Sequence, residues 1–204
     1  MTVSNIHPSQ SISNSSGSGE EMPHLLLKTR ELSKEVFFEQ FRGRVCISTN
    51  EFVHSGADKG EVLSFNSIAI GDCITMFGIG RDRSLFAWHS STVEEGPERR
   101  QTDEEIVLEK LENYFKGYGE DVRRTQFDIY LIGGNGSKIS SDLYNGMVFA
   151  IPKFFNEAVI VAEFMNSSEK KLITANFNTN GELHYYIHNA QPHEDFFSNS
   201  GEGF

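Results

Sequence analysis

Apolar residues recur along this chain in two rhythms, one of about three and a half residues and one of alternation, and the breaks between them carry Gly, Asn, Asp and Pro. From Ser33 to Phe41 the spacing predicts a short helix that Gly43 ends, followed by strands at Arg44 to Thr49 and Glu61 to Ile70. Cys73-Ile-Thr-Met-Phe77 and Ser84-Leu-Phe-Ala-Trp-His89 are dense in strand formers, and Gly78-Ile-Gly-Arg-Asp-Arg83 between them has the residues of a hairpin loop. The clearest helix follows: Thr102 and Glu105 form a capping box, and Ile106, Leu108, Leu111 and Phe115 recur at helical spacing before Gly117 and Gly119. Phe127 to Ile132 reads as a buried strand, Ser141 to about Asn156 as a helix interrupted or kinked at Pro152, and Ala158 to Phe164 as another strand. Lys171 to Phe177 and Leu183 to His188 flank Asn178-Thr-Asn-Gly181, a strong hairpin signal. Strands with two or three interspersed helices and several antiparallel hairpins predict an α+β sandwich.

Composition narrows the picture. The 204 residues suit a single domain, and 17 Phe supply one substantial core. Residues 1 to about 22 are Ser, Asn and Gly with almost no large apolar residue, a composition that cannot repay ordering entropy, so they are expected to form a disordered tail. The domain is expected over residues 23–192, with a loose tail at 193–204. A net charge of −11 without a basic stripe argues against nucleic acid and anionic membrane as partners. No stretch is long and apolar enough to insert in a membrane, and the N-terminus lacks the basic and apolar regions of a signal peptide. The expectation is a soluble, monomeric protein of a reducing compartment, because two Cys give no disulfide framework. Cys46, in the apolar run Val45-Cys46-Ile47, is expected to be a buried, inert thiol.

Cys73 is different, because His89 follows it sixteen residues later across the predicted hairpin. If the hairpin pivots on Arg81, position 73 lies directly opposite 89, and opposed residues share a face with Cβ atoms about 4.5 to 5.5 Å apart. A thiol and an imidazole so placed are a nucleophile and its base, whereas a slip of one residue would put them on opposite faces. Asp72 is next in sequence but points to the other face of a regular strand, as Trp88 does relative to His89, which makes Trp88 a core residue. Two other groupings are weaker. Gly133-Gly-Asn-Gly-Ser-Lys138 fails the spacing of a phosphate loop and reads as a tight turn needing positive φ. His184, His188 and His193 lack the Cys or carboxylate that would complete a metal set.

Ser67-Ile-Ala-Ile-Gly-Asp-Cys73 resembles the nucleophile segment of the bacterial chemoreceptor glutamine deamidases called CheD, which read Thr-Leu-Gly-Leu-Gly-Ser-Cys with His about seventeen residues on. Phe127-Asp-Ile-Tyr-Leu-Ile-Gly-Gly134 is similar to that family's strand ending in Phe-Gly-Gly, and Val159-Ile-Val-Ala-Glu163 to its Ile-x-Ile-Val-Ala-Glu strand. Leu172 to Tyr186 matches its closing hairpin, so the resemblance covers roughly residues 61–188 in order. Cytotoxic necrotizing factors and Burkholderia lethal factor, toxins that deamidate host glutamines, share the same Cys-His sandwich. The resemblance implies a layered α/β/β/α-type sandwich with mixed, largely antiparallel sheets and the site on a β-hairpin. It implies Cys73 as nucleophile with its pKa lowered by His89 and backbone N–H groups, His89 as base, and Ser67, which keeps the hydroxyl of the family's Thr, as the group orienting the imidazole. The backbone at Gly71 and Asp72 would hold the oxyanion, and Asn66 and Asn135 would line the cleft. The chemistry, conversion of a protein-bound Gln to Glu through a thioester, needs no metal or cofactor, only a protein partner with an exposed Gln.

The family's Gly-x-x-His-x-Met-Leu-Pro is here Phe86-Ala-Trp-His89-Ser-Ser, and Asp72 replaces Ser before the nucleophile. With the polar N-terminal tail, these departures point towards an effector or toxin made in the bacterial cytoplasm and moved to a host cytosol without a Sec signal. Action on the producing cell's chemoreceptors, a non-catalytic binding module on the same fold, and transamidation by competing amines stay open.

Overall fold

The computed structural model describes residues 27–56, 61–91, 101–118, 121–164 and 171–189. The expected tails at 1–22 and 193–204 lie outside the described residues, as does His193. The protein is a mixed α/β structure built on two mixed sheets. In chain order the elements are β1 (Lys28–Glu31), α1 (Lys34–Phe41), β2 (Cys46–Ile47), β3 (Phe52–Ser55), β4 (Ser64–Ile70), β5 (Ile74–Gly80), β6 (Leu85–Ser90), α2 (Asp103–Phe115), α3 (Asp121–Arg124), β7 (Phe127–Gly133), α4 (Lys138–Phe154), β8 (Ala158–Phe164), β9 (Lys171–Asn178) and β10 (Glu182–Asn189).

Local chemistry sets the helix starts. Ser33 Oγ accepts from Val36 N to cap α1, and Ser137 Oγ accepts from Ser140 N to cap α4. At α2 the capping box is complete: Thr102 Oγ1 accepts from Glu105 N, and Thr102 N donates to Glu105 Oε2 at 2.7 Å. Helix α4 starts three residues earlier than its sequence pattern suggests and runs through Pro152 as one element. Pro152 falls in the last turn, where it removes one helical bond, the one to the Val148 carbonyl, and the helix ends two residues later.

The first sheet has the order β1-β10-β9-β4-β2 and the second β3-β6-β5-β7-β8. Three of the four pairings of the second sheet are antiparallel and β7/β8 is parallel; in the first sheet β1/β10 and β2/β4 are parallel. Strand alternation divides the apolar residues of β5, β6 and β7. Phe77, Ile79, Leu85, Ala87, Tyr130 and Ile132 pack against Phe65, Ile173, Ala175, Phe177 and Leu183 of the first sheet. Met76, Phe86, Trp88, Ile129 and Leu131 pack against Val107, Leu111 and Phe115 of α2 and Met147, Ala150 and Ile151 of α4. The interior is therefore two apolar layers separated by the second sheet, where composition alone suggested one core. Gly146 of α4 approaches Asp103 so closely that a Cβ would stand 2.8 Å from Asp103 Cβ. Phe37 of α1 covers the outer face of the first sheet at Tyr186, ring centroids 5.1 Å apart.

Several expectations need correction. Strands β1 and β3 and the short α3 carry no clear sequence pattern, and both strands lie at sheet edges. The strand expected at Arg44 to Thr49 shortens to Cys46–Ile47, and Val45 (53% exposed) and Cys46 face solvent while Ile47 is buried. Cys46 is thus not the buried thiol its neighbours suggested. The β5/β6 hairpin also has a different register: Thr75, not Cys73, pairs with His89. Strand β5 continues through Gly78 and Gly80, because the Phe86 ring opposite fills the space a Cβ at Gly78 would take, 2.0 Å from that ring. A shift of two residues preserves the face, so the inward sense of the site survives.

Candidate active site

The chain crosses between the two sheets at the same end of the structure twice. It leaves β4 through Gly71–Cys73 to enter β5, and it leaves β2 through 48–51 to enter β3. The first crossing is prepared by a bulge. The register of β4 against β9 shifts between Ser67 and Ile70, Ala69 adopts a left-handed φ of 57°, and its N–H donates to Thr174 Oγ1 at 3.2 Å. A Cβ at Gly71 would stand 2.8 Å from Leu172 Cδ2, so a side chain there requires Leu172 to shift.

Ser67, Thr75 and His89 are each 0% exposed and lie between the sheets. Ser67 Oγ is 3.2 Å from His89 Nδ1 and 2.7 Å from Thr75 Oγ1. The expected Ser67–His89 contact is therefore present, and Thr75, which sequence reasoning did not single out, completes a row of three. His89 Nε2 is buried and meets no partner of good hydrogen-bond geometry among the described residues. The backbone of His89 is fixed by the second crossing: His89 N donates to Glu51 O at 3.0 Å, and Asn50 N donates to His89 O at 2.6 Å.

Cys73 is half-buried and packs against the inter-sheet layer. Its thiol contacts Asp72 Oδ1 at 3.8 Å and the Thr49 side chain, and no thiol–imidazole hydrogen bond joins it to His89. Gly133 and Gly134 cradle its backbone: Gly134 N donates to Cys73 O at 2.8 Å, and a Cβ at Gly133 (φ 111°) would come within 2.6 Å of the same oxygen. Positive φ at Gly133, Gly134 and Gly136 bears out the reading of this glycine segment as a tight turn. Asn135 Oδ1 accepts from Ser137 N at the start of α4, and Asn66 Nδ2 donates to Phe41 O on the outer face of the first sheet. Asn66 also accepts from Asn176 there, which ties it to α1 rather than to the inter-sheet layer. Trp88 packs on the helix side, opposite His89, as alternation requires.

Burial, reinforced by the Asp72 carboxylate, pushes the Cys73 thiol up to about 11, against the smaller opposing effects of the Thr49 hydroxyl and the Cys73 N–H. Burial lowers His89 to about 4, against the Ile47 backbone and the Glu51 carboxylate. The expected lowering of the thiol is reversed in direction, because removal from water outweighs every charge-stabilising contact. At neutral pH the pair is thiol and neutral imidazole, and the imidazole is in the form that accepts a proton.

His184 and His188 stand four residues apart on one face of β10, where His188 Nε2 lies 3.1 Å from Thr174 Oγ1. No cluster of three or more His, Cys, Asp and Glu side chains with metal-binding geometry occurs among the described residues. Nor is any helix among them long and apolar enough to cross a membrane. No protein-family model matches the chain, and no curated protein is similar to it at a significant level.

Proposed function

We propose that the protein is a Cys-His protein-glutamine deamidase acting as a bacterial effector on a host protein. The observation that carries this reading is the buried Ser67–His89 contact, with Nε2 left without a partner in the layer against which Cys73 packs. These are the residues that the CheD-like resemblance picks out, and the layering of α1, two sheets and the α2–α4 pair supports the α/β/β/α arrangement it implies.

In this reading the Cys73 proton passes to His89 Nε2 as sulfur attacks the carboxamide carbon of a protein Gln, so neutral partners react without a preformed ion pair. The backbone N–H groups of Cys73 and Asp72 in the Gly71 turn stabilise the oxyanion, a contribution of about 3 to 4 kcal/mol for one donor elsewhere. The imidazolium then protonates the leaving nitrogen, and ammonia departs. His89 takes a proton from water, which attacks the thioester, and Cys73 leaves with that proton. Gln and water become Glu and ammonia, and the enzyme is regenerated. Ser67 keeps the ring in place through both steps.

A non-catalytic binding module on this fold is the competing reading, favoured by the raised thiol and by the lack of a thiol–imidazole bond. Chemoreceptors are the alternative substrate class for the same chemistry. Exposing host and bacterial proteomes to the wild-type chain and to Cys73→Ala, and scoring every Gln-to-Glu change, separates all three. Host-restricted, Cys73-dependent changes are expected; changes confined to chemoreceptors move the target, and identical profiles in both proteomes remove the deamidase assignment.

A further inference from the structure

A hydroxyl carries one hydrogen, and Ser67 has two close neighbours, Thr75 Oγ1 at 2.7 Å and His89 Nδ1 at 3.2 Å. Two hydrogen-bond chains satisfy both contacts. In one, His89 Nδ1–H donates to Ser67 and Ser67 donates to Thr75. In the other, Thr75 donates to Ser67 and Ser67 donates to a bare Nδ1, which places the ring hydrogen on Nε2. Nε2 is fully buried without a well-placed partner among the described residues, and a buried N–H with no acceptor is the rarer and costlier arrangement than an unfilled lone pair. The 2.7 Å separation is ordinary for one hydroxyl donating to another, and 3.2 Å is the long end for N–H to oxygen. Thr75 is also a polar residue fully buried between Ile74 and Met76, where a hydroxyl is unfavourable unless it has a bond to make.

We propose that Thr75 is a positioning residue: by accepting the Ser67 hydrogen it holds His89 in the tautomer with hydrogen on Nδ1 and an open Nε2. Thr75 does not touch substrate in this scheme and acts only through Ser67. The catalytic consequence rests on the deamidase reading; the tautomer assignment does not. The Ile47 carbonyl, which favours the protonated ring, does not meet hydrogen-bond geometry at Nε2 and is a poor acceptor for hydrogen there.

The test is a two-bond proton–nitrogen correlation spectrum of the full chain labelled with ¹⁵N-histidine near neutral pH, with His89 assigned by loss of its signals in His89→Gln. The wild type is expected to show hydrogen on Nδ1. Thr75→Val, nearly the same shape without the hydroxyl, is expected to move hydrogen towards Nε2, and Thr75→Ser to restore the wild-type pattern. Hydrogen on Nε2 in the wild type, or an unchanged pattern in Thr75→Val, overturns the proposal. Should the valine variant fail to fold, Thr75→Ala makes the same comparison, and hydrogen on Nε2 in the wild type overturns the proposal without any variant. Turnover gives the second readout: kcat of Thr75→Val falls at least tenfold, with KM unchanged, towards the roughly 10⁴-fold loss seen when a triad imidazole is held in the wrong tautomer. A tautomer that shifts as stated in a protein that converts no Gln removes the deamidase reading and leaves the Thr75 assignment standing.

Discussion

The two sides of the β3–β8 sheet are built to different rules. The helix side is an aromatic pack: Phe86 touches Phe52, Phe115, Phe127 and Phe155, with ring centroids 5.2 to 6.1 Å apart. The strand side holds its own apolar cluster but also the fully buried Ser67, Thr75 and His89, at the end where the chain crosses between sheets. Burying hydroxyls and an imidazole is tolerated there because Ser67, Thr75 and His89 Nδ1 partner one another, with Nε2 left over. One side supplies stability, and the other uses some of it to hold polar groups dry and oriented.

That contrast breaks first at His89. Replacing it with Ala is expected to lower Cys73-dependent Gln conversion by about 10²- to 10⁴-fold, measured as a rate on an identified substrate peptide. Phe86→Ala, on the other side of the same strand, is expected to cost about 3 to 5 kcal/mol in urea unfolding and to leave the rate per folded molecule near wild type. Swapped results, with Phe86 controlling rate and His89 only stability, would dissolve the comparison.

A smaller effect comes from pH. His89 is lowered from 6.5 to about 4 in the folded protein, so the unfolded chain binds the extra proton between those values and stability falls as pH drops through them. Cys73 is raised from 9.0 to about 11, so the folded chain keeps its proton longer and stability falls as pH rises through that window. Unfolding midpoints against pH should therefore show a plateau between about 6.5 and 9, with the acid limb flattened in His89→Gln and the alkaline limb in Cys73→Ala. Ser67→Ala should cost about 1 to 3 kcal/mol of stability, because it strips the partner from buried Thr75 and His89, and it sharpens the contrast if activity falls by more than that stability loss explains. The smallest effect is at Cys46, where Ser should change stability by no more than about 0.5 kcal/mol because the side chain is exposed.

Elements with local signatures were legible in the sequence: the Thr102–Glu105 box, the Asn178–Gly181 turn and the Ser33 start all depend on residues near one another in the chain. Elements fixed by distant partners were not. Strand β1 is Lys-Thr-Arg-Glu and exists because β10 offers it a parallel edge. The hairpin register was misjudged because Gly78 and Gly80 read as loop, whereas Phe86 uses the missing Cβ. At the site, Cys73, His89 and Ser67 were visible as a spaced set, while Thr75 hid among strand formers, although it is two positions from Cys73 and thus on the inward face. The pKa directions were illegible, because burial depends on how the 48–51 crossing meets the Gly71 turn.

The two cysteines permit the most direct test. A small electrophile that mimics the glutamine side chain, applied near neutral pH and read by peptide mass spectrometry, should add to the half-buried Cys73 in preference to the exposed Cys46, and should lose that preference in His89→Ala. Addition to Cys46 alone, or equal labelling of Cys73 with and without His89, would contradict the assignment of this buried corner as a catalytic site.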